Sequence, residues 1–219
     1  SEKTCRAIRE KIEQYRGMEI PLLEQQEIIS TCKEYNLIWV APGEVANLEP
    51  NEMEMALGFD HDHTRGSFTM KERLESLENA FQVNTIAYHL SPLKRMFPNG
   101  IRVLSLFAGV GGAEVALHKI GISLRHVVCV EIKEKCRNVV EIWWKKTNQS
   151  GNIIFKNDVQ DLTYDALSSI FEEIGGFDLV IGGSPCSDPS GEQREEDCRL
   201  FYEFPRIFNI VKHLTSKGQ

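Results

Sequence analysis

Apolar positions recur along this chain with two different periods, and the period changes near residue 100. Before it the spacing is helical. Ile8 and Ile12 fall on one face of a predicted helix over residues 5–15, and a second helix over 21–35 opens at Pro21, which suits a first turn. Residues 37–40 form a short strand candidate, 41–49 a connection punctuated by Pro42 and Gly43, and 50–57 a short helix closed by Gly58. Residues 60–68 are polar and loop-like, and helices are predicted over 69–77 and 82–96.

From Ile101 the pattern alternates between short apolar runs and helical segments. Strands are expected at 103–107, 127–131, 153–155 and 179–181, with helices at 113–120, 133–147, 164–174 and 200–214 between and after them. Strands that are apolar throughout and separated by helices imply an α/β fold, a parallel sheet covered on both faces. Residues 1–100 and 101–219 are read as the two parts of one compact domain, a size that buries a sizeable core.

Charge and composition narrow the picture. A net charge of −7 excludes a broadly polycationic nucleic-acid binder, so any polyanion must meet a local basic patch, such as Arg65 with Lys71 and Arg73. The six cysteines make no Cys-x-x-Cys pair, so reduced thiols and no metal site are expected. No apolar run approaches the roughly 18 residues needed to span a bilayer, and a soluble chain without a membrane partner is expected. Ser1 stands where a start methionine would, so upstream sequence is expected.

The chemistry sits where strands end. Val103 to Phe107 runs into Ala108-Gly109-Val110-Gly111-Gly112, Glu131 ends the second strand and Asp158 follows the third. In an open parallel sheet, ligands bind beyond the carboxyl ends of the strands. Glycines there let the backbone approach a ligand, and the two acids can receive a ribose diol and an adenine amine; equally, glycine turns serve packing and acids cap helices. The fourth strand runs through Phe177-Asp178-Leu179-Val180-Ile181-Gly182-Gly183-Ser184-Pro185-Cys186. Two glycines and a stiffening proline aim a thiol out of the sheet edge, as a nucleophile requires.

Ser105 to Gly112, Val130-Glu131-Ile132, Asn157-Asp158-Val159 and Gly182 to Cys186 together resemble the first four motifs of DNA cytosine-5 methyltransferases. The segment Arg73 to Val83, which in the common order of that family falls near the C-terminus, here precedes the glycine turn. That circular permutation is similar to the plant domains rearranged methyltransferases, as are Asn36 to Val40, Leu48 to Met53, His63-Thr64-Arg65-Gly66 and Ala87 to Leu90. The resemblance implies a Rossmann-like, S-adenosylmethionine-dependent fold in permuted order. Residues 1–100 would carry the target-recognition and C-terminal-motif segment, and residues 101–219 the donor site and the cysteine. It implies that Phe107, Gly109, Gly111, Glu131, Asp158 and Asn79 bind the donor, that Cys186 is the catalytic nucleophile, and that Arg65, Arg73 and Arg194 face DNA. It also implies a nuclear protein of RNA-directed de novo methylation that works with silencing machinery, as a homodimer or beside an active paralogue.

Three departures from the family pattern point to impaired turnover. The glutamate of the family's Glu-Asn-Val segment has no counterpart here and is expected upstream. Glu78 stands in Leu77-Glu78-Asn79-Ala80-Phe81 where the family places a glycine, and is expected to weaken donor binding. Residues 187–199 are short for the family and acidic, Glu192, Glu195, Glu196 and Asp197 outweighing Arg194 and Arg199. The leading expectation is an impaired member supporting an active paralogue. The alternatives are an active DNA cytosine-5 methyltransferase and, least, a methyltransferase acting on RNA or a small molecule.

Overall fold

The computed structural model describes residues 2–35, 37–66, 68–184 and 194–217, with no side chains described for 194–198. The chain divides into two compact units, Ser1–Met53 and Glu54–Gln219. The boundary between the units falls within the expected 1–100 part. Within the second unit, residues 54–100 pack with the sheet that follows them, α5 (Val83–Leu90) lying along α7 (Gly112–Lys119).

The first unit contains α1 (Glu2–Glu13), α2 (Leu22–Glu34) and the antiparallel strands β1 (Leu37–Ala41) and β2 (Glu44–Asn47). Ile8, Ile28, Cys32, Leu37 and Val45 form its small core. The second strand was not expected from sequence. Pro42-Gly43 is a hairpin turn rather than an open connection, because Gly43 adopts φ 76° and Ala41 pairs directly with Glu44.

In the second unit α3 (Pro50–Leu57), which starts in the first, is followed by α4 (Met70–Glu78), α5 and α6 (Leu93–Met96). Thr69 caps α4 in a reciprocal box with Glu72, which is why this helix starts at Met70. The single helix expected over 82–96 is two helices. Pro92 has no N–H to continue the ladder, and the chain re-nucleates there as α6.

Four parallel strands follow: β3 (Ile101–Leu106), β4 (Leu124–Val130), β5 (Asn152–Lys156) and β6 (Leu179–Gly182), in the order β5-β4-β3-β6. The intervening helices are α7, α8 (Glu134–Lys146) and α9 (Tyr164–Ile174), and α10 (Arg194–Lys217) closes the fold. Leu104, Leu106, Val128 and Val130 pack on Leu167, Ile170 and Ile174 of α9 and Ile207, Val211 and Leu214 of α10. Residues of opposite parity, Val103, Ser105, Val127 and Cys129, are equally buried and face the other side of the sheet. At the amino ends Arg102 binds both carboxylate oxygens of Asp178, at 2.9 and 2.6 Å, tying β3 to the start of β6. Burial pushes the Asp178 carboxyl up, but the Arg102 bonds outweigh it and hold it below the usual range.

The strand order reverses at β3. The chain winds outward through β4 and β5 and then crosses back to β6 on the other side of β3, so the switch point lies at the carboxyl ends of β3 and β6.

Candidate active site

The turn leaving β3 is built on backbone that ordinary residues avoid. Phe107 sits at φ 53°, Gly109 at φ 54° and Gly111 at φ 84°. For Phe107, a bulky side chain, such a conformation is strained and is kept only where the surroundings impose it. The glycines differ in what they permit. A Cβ on Gly109 would meet nothing within 4 Å, so one side of the turn is open space, whereas a Cβ on Gly111 would stand 2.9 Å from Val140.

Glu131, only 9% exposed, closes the turn from the end of β4. Its Oε2 accepts the Gly109 N–H and its Oε1 the Lys133 N–H, both at 2.9 Å, so one carboxylate spans the first two loops. Each oxygen keeps a lone pair for a further donor. Asp158 is half-buried after β5, and its Oδ1 accepts the Gln160 N–H at 2.9 Å to start a short 3-10 turn, Val159–Asp161. Beside it lies an open depression of about 280 Å³ lined by residues that include Phe155, Asp158, Asp161 and Leu162. An open glycine face, a fixed carboxylate and a second acid above a depression fit a nucleoside bearing a charged tail, the donor that the sequence implied.

Each of these loops is also held from behind, by side chains the sequence reading did not single out for it. His63 Nε2 lies 2.8 Å from the Val110 carbonyl oxygen, Arg137 Nη1 donates to the Glu131 and Ile132 carbonyls at 2.6 and 2.9 Å, and Arg206 donates to the Leu162 and Val159 carbonyls at 2.9 and 3.2 Å. No spacing signals such side-chain to backbone bonds, since partners lie up to 47 residues apart. Ile132, 69% exposed beside Glu131, adds an apolar platform.

Glu114, in the first turn of α7, is fully buried. Burial raises its carboxyl, opposed by its own backbone N–H and by Ser105, yet neither oxygen reaches a complete hydrogen bond. Burial likewise pushes the Cys136 thiol up to about 11 and Cys129 well above the ordinary thiol value, which makes both poor nucleophiles.

Asn79 is the exposed C-cap of α4, its Nδ2 donating to the Glu75 carbonyl at 2.9 Å, and Glu78 before it is exposed. Arg65 is exposed and paired with Asp62 at 3.1 Å. Arg73 is turned inward instead of lying on an open basic patch: its Nη2 binds Glu54 at 2.9 Å, its Nε binds Thr64 at 2.9 Å, and its side chain is 13% exposed. The buried Glu54 carboxylate needs that partner more than solvent does. Cys186 and the Arg194 side chain lie outside the described residues.

The register brings the two marked segments together. Leu106 pairs with Gly182, so the glycine turn and the Gly183-Ser184 exit of β6 leave neighbouring strand ends.

The family model for C-5 cytosine-specific DNA methylase matches residues 101–215. Among curated relatives, DNA (cytosine-5)-methyltransferase DRM2 of Arabidopsis thaliana is 48% identical over 202 residues, 89% of this chain and 32% of that protein. DRM1 of the same plant is 46% identical over 220 residues, 97% and 35%. The probable inactive DNA (cytosine-5)-methyltransferase DRM3 of Arabidopsis thaliana is 38% identical over 223 residues, 96% and 31%. The chain spans about a third of the length of these relatives.

Proposed function

Because the chain belongs to the C-5 cytosine-specific DNA methylase family, we propose that it is the donor-binding domain of a nuclear protein of RNA-directed de novo DNA methylation. Its own turnover is impaired, and it supports an active paralogue, alongside silencing machinery, as a dimer partner. The observation that carries donor binding is the Glu131 carboxylate fixed on Gly109 and Lys133. So fixed, it presents acceptors to a ribose diol without rearrangement, while Asp158 and its depression receive the base.

S-adenosylmethionine, when bound, supplies an electrophilic methyl group. Cys186 is the proposed nucleophile: its thiolate adds to C6 of an extruded cytosine and makes C5 nucleophilic. Once C5 is methylated, loss of the C5 proton and of the thiolate restores the ring.

Impairment is supported by Glu78 in place of a glycine, by the acidic run within residues 187–199, and by similarity to relatives described as probable inactive. The second reading, an active methyltransferase, is favoured by two observations. Glu78 is exposed, which limits its effect to a screened charge interaction, and identity is higher to DRM2 and DRM1 than to DRM3.

Calorimetry with S-adenosylhomocysteine tests the donor site. One-site binding is expected, tightened no more than severalfold by Glu78→Gly and less so at high salt. Absence of binding by both proteins contradicts the reading.

A further inference from the structure

We propose that His63 is a positioning residue for the glycine turn, the latch through which the permuted segment 54–81 fixes the shape of the donor site. The role rests on the donor-site reading above, but the contacts that define it do not. Val110 precedes α7, whose own ladder opens with the Val115 N–H on the Gly111 carbonyl, so the Val110 carbonyl needs a partner from elsewhere. That carbonyl belongs to a residue 2% exposed, and His63, 7% exposed, meets it at 2.8 Å. Since a carbonyl only accepts, Nε2 carries the hydrogen and donates it.

The imidazole is itself held in place. Its ring stacks on Phe59 at 4.5 Å and 22°. Its neighbour Thr64 is wholly buried and anchored through both its N–H and its hydroxyl to Glu54, at 2.8 and 2.5 Å. Arg73 from α4 then binds the same Glu54 oxygen and the same hydroxyl, so α3, the 60–66 loop and α4 meet at one buried carboxylate. The same segment closes on the next residues of the turn. A Cβ on Gly112 would stand 3.0 Å from the Phe81 ring and 3.6 Å from Phe59. The loop thus touches the glycine turn at a carbonyl and at a face with no room for a side chain, opposite in character to the open face at Gly109.

A passive packing role and a positioning role differ in what they predict. If His63 only fills space, an apolar residue of similar size preserves the turn. If it positions the turn, an N–H at the same reach is required, which glutamine supplies and leucine or asparagine does not. Leaving the buried carbonyl unpartnered favours local opening by roughly tenfold or more.

The test is hydrogen exchange of the amides of residues 108–115 in the ligand-free protein, for wild type and for His63→Leu, His63→Asn and His63→Gln. Leucine and asparagine are expected to speed exchange at Gly111 and Val115 about tenfold, with exchange in β5 and α9 unchanged, and glutamine to restore most of the protection. S-adenosylhomocysteine affinity should fall with leucine and recover with glutamine. If His63→Leu does not fold, the asparagine variant carries the comparison. Unchanged exchange at Gly111 with asparagine, or a glutamine variant as loose as asparagine, overturns the latch. A wild type that binds no S-adenosylhomocysteine counts against the donor-site reading, while exchange still decides the latch.

Discussion

Gly182 and Leu106 pair across β6 and β3 so closely that a Cβ on Gly182 would stand 2.3 Å from the Leu106 carbonyl oxygen. Backbone cannot yield as a flexible side chain can, so Gly182→Ala must displace β6 from β3 at the switch point. A loss of about 1–3 kcal/mol is expected, read as a lower denaturant midpoint. Gly183→Ala serves as the control, because its Cβ would meet nothing within 4 Å.

The Glu131 carboxylate holds Gly109 and Lys133 by charge-assisted bonds. Glu131→Ala removes both and any ribose contact, and each such bond contributes about 1.5–3 kcal/mol. S-adenosylhomocysteine affinity should fall by about 10- to 100-fold in calorimetry. Glu131→Gln, which keeps one acceptor, should lose less.

Arg73 offers a contrast between a structural and a DNA-facing arginine. Removing it leaves the buried Glu54 charge without its cation, and Arg73→Ala should destabilise by about 3–5 kcal/mol. Burial pushes Glu54 up, yet its bonds to Thr64 and Arg73 hold it below the usual carboxylate range. Adding Glu54→Gln to Arg73→Ala should recover part of the loss in thermal melts. An exposed phosphate contact would instead leave melting unchanged and lower the salt slope of DNA binding.

Two acids titrate in opposite senses. Burial raises Glu114 above its ordinary value of 4.5, so the folded chain holds that proton more tightly; its contribution is full below 4.5 and is lost as pH rises through the folded value. Glu114→Gln should therefore flatten the stability profile above pH 4.5 and be the more stable protein at pH 8. Lys135, and then the Thr69 cap, hold Glu72 down at about 2, so its contribution is present above 4.5 and lost as pH falls through 2. Glu72→Gln should flatten the profile between pH 4.5 and 2, lower stability above 4.5 where that contribution is otherwise present, and leave the protein unchanged below pH 2.

The alternation after Ile101 was legible because parallel strands flanked by helices read as apolar runs; β3, β4, β5 and β6 all overlap the expected runs, although only β3 and β4 carry fully buried residues. The three marked strand ends drew attention because ligands of an open parallel sheet meet the carboxyl ends of its strands, although glycine and acid there also serve turns and caps. The β1–β2 hairpin was missed because Glu44 to Asn47 is too short to show an alternation and buries only Val45. The break at Pro92 was missed because the apolar spacing carries across it. His63, Arg137 and Arg206 were illegible as loop holders because they act on backbone carbonyls, which every residue has. Arg73 read as a surface cation for a similar reason: nothing in the spacing of Glu54, Thr64 and Arg73 reveals that they meet.

A domain with this donor site either performs methyl transfer itself or promotes it in a partner. The direct measurement is transfer of labelled methyl groups from S-adenosylmethionine to unmethylated DNA by the full-length protein alone, by an active relative alone, and by the two mixed. Little transfer is expected from this protein alone, and more from the mixture than from the active relative alone. Transfer by this protein alone at the rate of the active relative, abolished by Cys186→Ser, would contradict the proposed impairment.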